Sequence, residues 1–174
     1  MTADPGPRDE VDAVVEAWSR ERPDLDVTPM RVLSRVTRLA RHLDRQRAAA
    51  FSAHGLETWE FDVLAALRRA GGANQLSPGQ LLRETMVTSG TMTNRVDRLA
   101  ARGLVQRDLR PEDKRGVLVR LTDAGRAAVD AALADLLTAE RQLLAGLDEG
   151  DQHRLAQTLR QLLVVYREEP TAAP

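Results

Sequence analysis

The chain has 174 residues, of which 43% are hydrophobic, 3% aromatic and 29% charged, and its formal net charge is −1. This length fits one domain, or one domain with a dimerisation appendage. The net charge excludes a uniformly basic surface for nucleic acid but allows a local basic face. The absence of cysteine excludes disulfides and thiol chemistry. Residues 1–10 lack the apolar core of a signal peptide, and no apolar run has membrane-spanning length, so we expect a cytoplasmic protein.

Apolar residues at helical spacing predict two helices in the N-terminal third of the chain. The first helix is indicated by a stripe at i, i+3, i+4 and i+7 that consists of Val11, Val14, Val15 and Trp18. Pro23 ends this run. Thr28 and Pro29 then have the features of an N-cap and a first helical residue, and their helix extends to about His54, before Gly55.

A third helix is predicted from Thr58 to the Gly71-Gly72 pair. Its buried side is expected to hold Trp59, Val63, Leu64 and Leu67. A shorter helix follows over residues 78–84, because Ser77 and Pro78 read as its N-cap and first residue.

Residues 78–102 are predicted to form a helix-turn-helix. The turn is 85–88, Thr88 or Ser89 caps the second helix, and that helix ends before Gly103. In this motif the second helix projects polar side chains into the DNA major groove. We predict DNA contacts from the polar and basic side chains of Ser89, Thr91, Thr93, Asn94, Arg95 and Arg98. The alternative is a plain three-helix core in which serine and threonine serve only as caps.

Period-two alternation then predicts a β-hairpin, with one strand near 105–109 and another near 117–121. Its tip carries basic side chains that suit the narrow minor groove, namely Arg110, Lys114 and Arg115. From Arg83 to Arg126 there are ten basic and six acidic residues, so this segment carries +4 while the whole chain carries −1.

Two amphipathic helices are predicted after the hairpin. Thr122 caps the first, whose apolar stripe is Val129, Leu133, Leu136 or Leu137, Leu143 and Leu147. Asp148 ends that helix and caps the last one, which carries Leu155, Leu159, Leu162, Leu163 and Tyr166.

The predicted fold is mainly α with a small β-hairpin wing: a winged helix-turn-helix with N- and C-terminal dimerisation helices. We expect a flexible tail over 1–7, N-terminal helices that contribute to dimerisation over 8–57 and the DNA-binding region over 58–122. C-terminal dimerisation helices over 123–169 and a tail over 170–174 complete the organisation.

The segment 113–125, which reads DKRGVLVRLTDAG, resembles the wing signature of MarR-type transcription regulators. That signature is Asp, any residue, Arg, a strand ending in Leu-Thr, and Gly three residues later. The segments RLAARG (98–103) and GLVQR (103–107) are also similar to the family, and the resemblance covers about residues 30–168. It implies that Arg115 enters the minor groove, that Asp113 orients it, and that a homodimer binds a pseudo-palindromic operator on double-stranded DNA. The family's usual output is repression of a nearby gene, relieved by a small anionic or phenolic ligand.

The added helix around residues 11–18 resembles the urate-responsive, PecS-like branch of that family. This resemblance implies an anion pocket formed by Trp18, Arg35, Asp62, Arg95 and Arg107. An arginine pair offers bidentate bonds to an anion, and tryptophan offers a flat wall for a planar ligand. Alternatives stay open, because Trp18 also fits a core anchor and Asp62 is favoured in the first turn of a helix by the helix dipole. Arg95 also fits a phosphate contact, and Arg107 an outward strand residue. Citrate-like or aconitate-like carboxylates suit the same arginine pair.

The favoured function is therefore a DNA-binding transcription regulator, a repressor released by a small anion such as urate or a di- or tricarboxylate. The alternative is a winged-helix protein-interaction module without sequence-specific DNA binding. His42, His54 and His153 lie far apart with no ligand spacing around them, and the sequence has no catalytic or phosphate-loop motif. No enzyme activity, metal or cofactor is predicted.

Overall fold

The computed structural model of the protein describes residues 8–109 and 117–165, with Leu109 and Val165 described by their backbone alone. The elements follow in the order α1 (Glu10–Glu21), α2 (Met30–Ser52), α3 (Thr58–Arg69), β1 (Gln75–Leu76), α4 (Pro78–Thr85), α5 (Ser89–Ala101), β2 (Val105–Leu109), β3 (Val117–Leu121), α6 (Asp123–Leu144) and α7 (Glu149–Val165). The predicted class, mainly α-helical with a small hairpin wing, is confirmed. Within these ranges no helix is long and apolar enough to cross a membrane.

Local signals in the sequence set most of the helix ends. Ser77 caps α4 by accepting a hydrogen bond from the Gln80 backbone N–H, and the Gln80 side chain accepts from the Ser77 N–H. The Thr122 hydroxyl accepts from the Gly125 N–H at 3.0 Å and so caps α6. Asp148 accepts from the Asp151 N–H at 2.7 Å at the start of α7, as predicted.

The predicted cap of α2 is wrong. Pro29 holds the N-cap position with helical φ and ψ of −58° and −27°, and no side chain caps the helix there. Asp26 instead accepts a hydrogen bond from the Thr28 N–H at 2.9 Å, which forms a turn of the Asx type before the helix. The chain therefore enters α2 through this turn.

The sheet is antiparallel in the order β1-β3-β2, so β3 is its central strand. β2 and β3 pair with Val105 opposite Leu121 and Leu109 opposite Val117, which confirms the predicted hairpin strands. The two-residue strand β1 was not predicted; Leu76 pairs there with Val119. This third strand ties the base of the wing to the segment between α3 and α4.

The hydrophobic core surrounds α3. Val63, Leu64 and Leu67 are completely buried, and they share one cluster with residues from every neighbouring element, including Phe51, Leu81, Leu99, Val119 and Val129. Full burial of such a side chain stabilises the fold by about 1.5–3 kcal/mol. Because α2 and α6 contribute to the same cluster as α4, α5 and the sheet, the core fixes the helix-turn-helix against the long helices.

The terminal helices leave apolar side chains on the surface of the protomer. On α2 these are Val32, Leu33, Val36 and Leu39, and on α7 they are Leu155, Leu159, Leu162, Leu163 and Val164. α1 buries Val11 and Val15 against the protomer, but Trp18 on the same helix is 48% exposed. The interpretation of Trp18 as a core anchor is therefore wrong for the protomer.

Candidate nucleic-acid interface

The helix-turn-helix consists of α4, a turn and α5. Met86, at the C-cap of α4, adopts the left-handed conformation with φ of +51°, which turns the chain towards α5. Met92, Val96 and Leu99 anchor α5 in the core. The opposite face of α5 is therefore directed outward, as a reading helix requires.

The structure places all six predicted reading-helix residues on α5. Arg95 is half-buried and the other five are exposed, namely Ser89, Thr91, Thr93, Asn94 and Arg98. The Thr91 hydroxyl lies 2.9 Å from the Thr88 hydroxyl at the start of the helix. Small polar groups at a helix N-terminus suit contacts to phosphates and base edges.

Trp59 lies beside the reading helix. The sequence predicted it on the buried side of α3, but it is only half-buried. Its ring faces the guanidinium carbons of Arg95 and Arg98, which lie 5.4 Å and 4.7 Å from the ring centroid. Its indole Nε1–H donates to Glu57 at 2.7 Å, and Glu57 also accepts from Arg98 at 2.8 Å. The indole donor, followed by the Arg98 charge, holds the pKa of Glu57 below its ordinary value.

An ion pair joins the reading helix to the wing. Asp97 of α5 and Arg107 of β2 are 2.7 Å apart. Within the wing, Asp108 pairs with Arg120 on the adjacent strand at 2.7 Å, and this guanidinium lowers the pKa of the Asp108 carboxyl. The predicted wing-tip contacts of Arg110, Asp113, Lys114 and Arg115 lie outside the described residues.

A buried carboxylate holds the other end of the reading helix. Glu60 of α3 is 1% exposed and accepts from the Glu57 N–H at 2.9 Å and from Arg102. Arg102, the C-cap of α5, also donates to the Gly55 carbonyl at 2.8 Å. Arg102 thus connects the end of the reading helix to the end of α2, although nothing in the sequence pattern singled out this pair.

The five residues of the predicted anion pocket have separate surroundings in the protomer. Arg35 donates to Asp9 and Asp12 of the α1 region, and Asp62 pairs with Arg47 at 3.4 Å. Arg95 faces Trp59, and Arg107 pairs with Asp97. Trp18, the fifth residue, is half exposed on α1.

Asp62 lines a cavity of about 440 Å³ between α2, α3, α4 and α6. Trp18, Arg35, Arg95 and Arg107 do not line it. Its charged lining consists of Arg47, Asp62, Arg68, Arg69, Glu84 and Asp130, and its apolar lining includes Phe61, Val129 and Leu133. Two ion pairs join its walls: Arg68 to Asp130 of α6 at 2.8 Å, and Arg69 to Glu84 of α4 at 3.4 Å. The cavity therefore lies between the helix-turn-helix and a long helix.

Comparison with known proteins identifies the family. A model of the MarR family matches residues 54–116. The chain is 37% identical over 146 residues to the HTH-type transcriptional regulator PecS of Dickeya dadantii, covering 84% of this chain and 88% of PecS. The chain belongs to the MarR family. This member is also 32% identical to the HTH-type transcriptional repressor NicR of Pseudomonas putida, over 80% of this chain and 89% of NicR.

A solved structure agrees with this assignment. BpsR of Bordetella bronchiseptica, whose DNA binding is described as regulated by 6-hydroxynicotinic acid, is 28% identical, with a TM-score of 0.56 over 74% of this chain and 98% of BpsR. MarR-family regulators bind DNA, act as dimers and bind small-molecule effectors. This MarR-family protein is accordingly a DNA-binding transcription regulator with a winged helix formed by α3–α5 and the sheet.

Proposed function

We propose that this MarR-family regulator represses a nearby gene and releases its operator when a small anion binds. The observation that carries the proposal is the +4 segment from Arg83 to Arg126, which contains an outward reading helix and the strands of a wing. Similarity to NicR, a transcriptional repressor, supports the direction of the regulation.

DNA contacts are proposed from two surfaces. The first is the outward face of α5, with Ser89, Thr91, Thr93, Asn94, Arg95 and Arg98. The second is the wing tip, where Arg110, Lys114 and Arg115 supply positive charge and Asp113 orients Arg115. The first surface suits the major groove, and arginine at a wing tip suits the minor groove.

The terminal helices are proposed as the dimer interface. The exposed leucines of α7 recur at i, i+4, i+7 and i+8, and α2 exposes a further apolar stripe. Contiguous exposed apolar side chains of this kind mark interaction surfaces. A two-fold dimer places the two reading helices about one turn of DNA apart.

The cavity at Asp62 is the proposed effector site. Arg47, Arg68 and Arg69 line it together with apolar side chains, which suits a planar molecule with a negative charge. An anion there competes with Asp130 for Arg68 and with Glu84 for Arg69, so it changes how α3 is held against α6 and α4. The coupling free energy between an effector site and a DNA-binding site is typically about 1–3 kcal/mol, which corresponds to a change of up to roughly a hundredfold in operator affinity. The wider pocket with Trp18, Arg35, Arg95 and Arg107 stays a prediction.

Two measurements test the proposal. In transcription from the protein's own upstream DNA, the protein lowers transcript yield, and the effector restores it. A thermal-shift screen of urate, citrate, aconitate and 6-hydroxynicotinate identifies the effector, because a ligand that binds the native state raises the melting temperature. The Arg68→Gln variant loses the shift, while Arg45→Gln, on the exposed face of α2 outside the cavity, keeps it. Unchanged transcript yield contradicts repression, and a shift that persists in Arg68→Gln contradicts this effector site.

The alternative, a winged-helix module for protein contacts, gives a different result. It predicts that Arg115→Ala leaves partner binding intact and that no salt-dependent DNA affinity exists.

A further inference from the structure

We propose that Trp59 is a positioning residue for DNA binding, which holds Arg95 and Arg98 of the reading helix, and that Glu57 restrains Arg98 until DNA is bound. The inference rests on the proposal that α5 contacts DNA. It adds Trp59 of α3 and Glu57, the N-cap of α3, neither of which belongs to the helix-turn-helix.

The placement of Trp59 connects it with the DNA-facing surface. An open concavity of about 450 Å³ is lined by Trp59, Gly90, Thr91, Asn94, Arg95 and Arg98. Four of these six residues are proposed DNA contacts. Trp59 therefore borders the surface through which the reading helix is proposed to contact DNA.

The geometry shows how Trp59 acts on the arginines. Both guanidinium groups lie within 6 Å of the ring centroid, which is the range of cation–π attraction. Arg95 and Arg98 are one helical turn apart, so a single ring supports both side chains on the same side of α5. Arginine side chains lose much rotamer freedom when they bind a phosphate, and holding them in place beforehand reduces that loss.

Glu57 opposes the release of Arg98. Its carboxylate accepts the Trp59 indole N–H and the Arg98 guanidinium, so it draws Arg98 towards the N-terminus of α3. A phosphate must replace this carboxylate before Arg98 contacts DNA. A negative charge beside the groove also repels the phosphates of any DNA sequence. Glu57 therefore weakens the binding of DNA whatever its sequence.

The test of Trp59 is a double-mutant cycle measured by fluorescence anisotropy. The probes are a labelled duplex from the protein's own upstream region and a shuffled duplex of equal length. Trp59→Leu is expected to weaken upstream-duplex binding roughly fivefold, whereas Trp59→Phe stays within about twofold of wild type. In the Arg95→Gln/Arg98→Gln background, Trp59→Leu has no further effect, because the side chains through which it acts are gone. An equal loss in both backgrounds, or no loss in either, overturns the proposal.

The Glu57→Gln variant provides a test that does not depend on changing the half-buried tryptophan. Glutamine keeps an acceptor for the indole N–H but lacks the charge that holds Arg98. We expect tighter binding to the shuffled duplex and a log–log salt slope steeper by about 0.9, the value for one additional phosphate contact. In an Arg98→Gln background the slope does not change. A slope that is unchanged in the wild-type background overturns the role of Glu57. Failure of wild type to prefer the upstream duplex contradicts the proposed function itself, and that outcome is separate from both tests.

Discussion

Asp97 on the reading helix and Arg107 on the first wing strand form an ion pair, with 2.7 Å between the Asp97 Oδ1 and Arg107 Nη2 atoms. This contact connects the reading helix to the first strand of the wing, the two parts of the protein that are proposed to enter the grooves. It also pairs the charge of Arg107 with a carboxylate on the reading helix.

The first prediction concerns this pair. Asp97→Asn is expected to increase affinity for shuffled DNA, because a negative charge is removed and Arg107 is released, and to reduce the preference for the upstream duplex. Asp108→Asn is the matched control, because its partner Arg120 lies within the sheet and not on the reading helix. Anisotropy titrations measure the ratio of the affinities for the upstream and the shuffled duplex. An unchanged ratio in Asp97→Asn would show that the pair does not orient the wing.

The second prediction concerns the junction between the wing and α6. A Cβ atom on Gly125 would clash with the Leu104 carbonyl oxygen, which belongs to the backbone and so cannot move without shifting the chain. Gly125→Ala is therefore expected to lower the free energy of unfolding by about 3 kcal/mol, at the upper end for overpacking.

Gly79→Ala is the control for that measurement. Gly79 lies in α4 with nothing within 4 Å of the position of its Cβ, so alanine there leaves stability unchanged or raises it by about 0.5 kcal/mol. Urea denaturation of the two variants gives the comparison. Equal free energies of unfolding for Gly125→Ala and Gly79→Ala would contradict the close approach of Gly125 to the Leu104 carbonyl.

The third prediction concerns the buried carboxylate of Glu60. Arg102→Gln removes its charged partner and is expected to destabilise the fold by about 2 kcal/mol, since Glu60 remains buried. Arg98→Gln, which breaks the exposed pair with Glu57, should lower stability by less than about 1 kcal/mol. If thermal and urea unfolding rank the two variants in the opposite order, Arg102 does not hold the reading helix.

The fourth prediction concerns the docking of α1 on α2. Arg35 donates to Asp9 and Asp12, and the pKa of each carboxyl lies below its ordinary 3.8; the Arg35 guanidinium is the main cause for Asp9, and the Asp9 backbone N–H, followed by Arg35, for Asp12. The folded state therefore binds fewer protons, so this stabilisation is fully present above pH 3.8 and is lost as the pH falls through the lowered values.

Arg35→Gln should accordingly loosen α1 at neutral pH, which limited proteolysis between α1 and α2 detects. Arg41→Gln, exposed on the same helix, is the control. The difference between Arg35→Gln and wild type should disappear in strong acid. A difference that persists there unchanged would exclude the carboxylates as its cause.

The predictable parts of the fold depended on local signals. Gly55 and Gly103 adopt positive φ of +67° and +69° at the positions where the sequence predicted that helices end. Ser77, Thr122 and Asp148 cap helices because their side chains reach N–H groups three residues later in the chain. Such contacts join residues that are close together in the chain, so they can be predicted from the sequence alone.

The parts that sequence reasoning missed depend on the tertiary arrangement. Strand β1 has two residues, too few to show a period, and it exists because Leu76 meets Val119. The partners of Arg35 lie 23 and 26 residues away, and Arg102 meets Glu60 42 residues away. No spacing rule links such pairs. Trp59 was predicted from its helical position alone, which does not show that it borders the reading helix.

Operator recognition is tested most directly by one anisotropy titration of wild-type protein, at moderate salt, against the upstream duplex and its shuffled counterpart. We expect a dimer to bind the upstream duplex with a preference on the order of a thousandfold, and we expect this affinity to fall steeply as salt rises. Equal affinity for the two duplexes, or binding insensitive to salt, would contradict operator recognition.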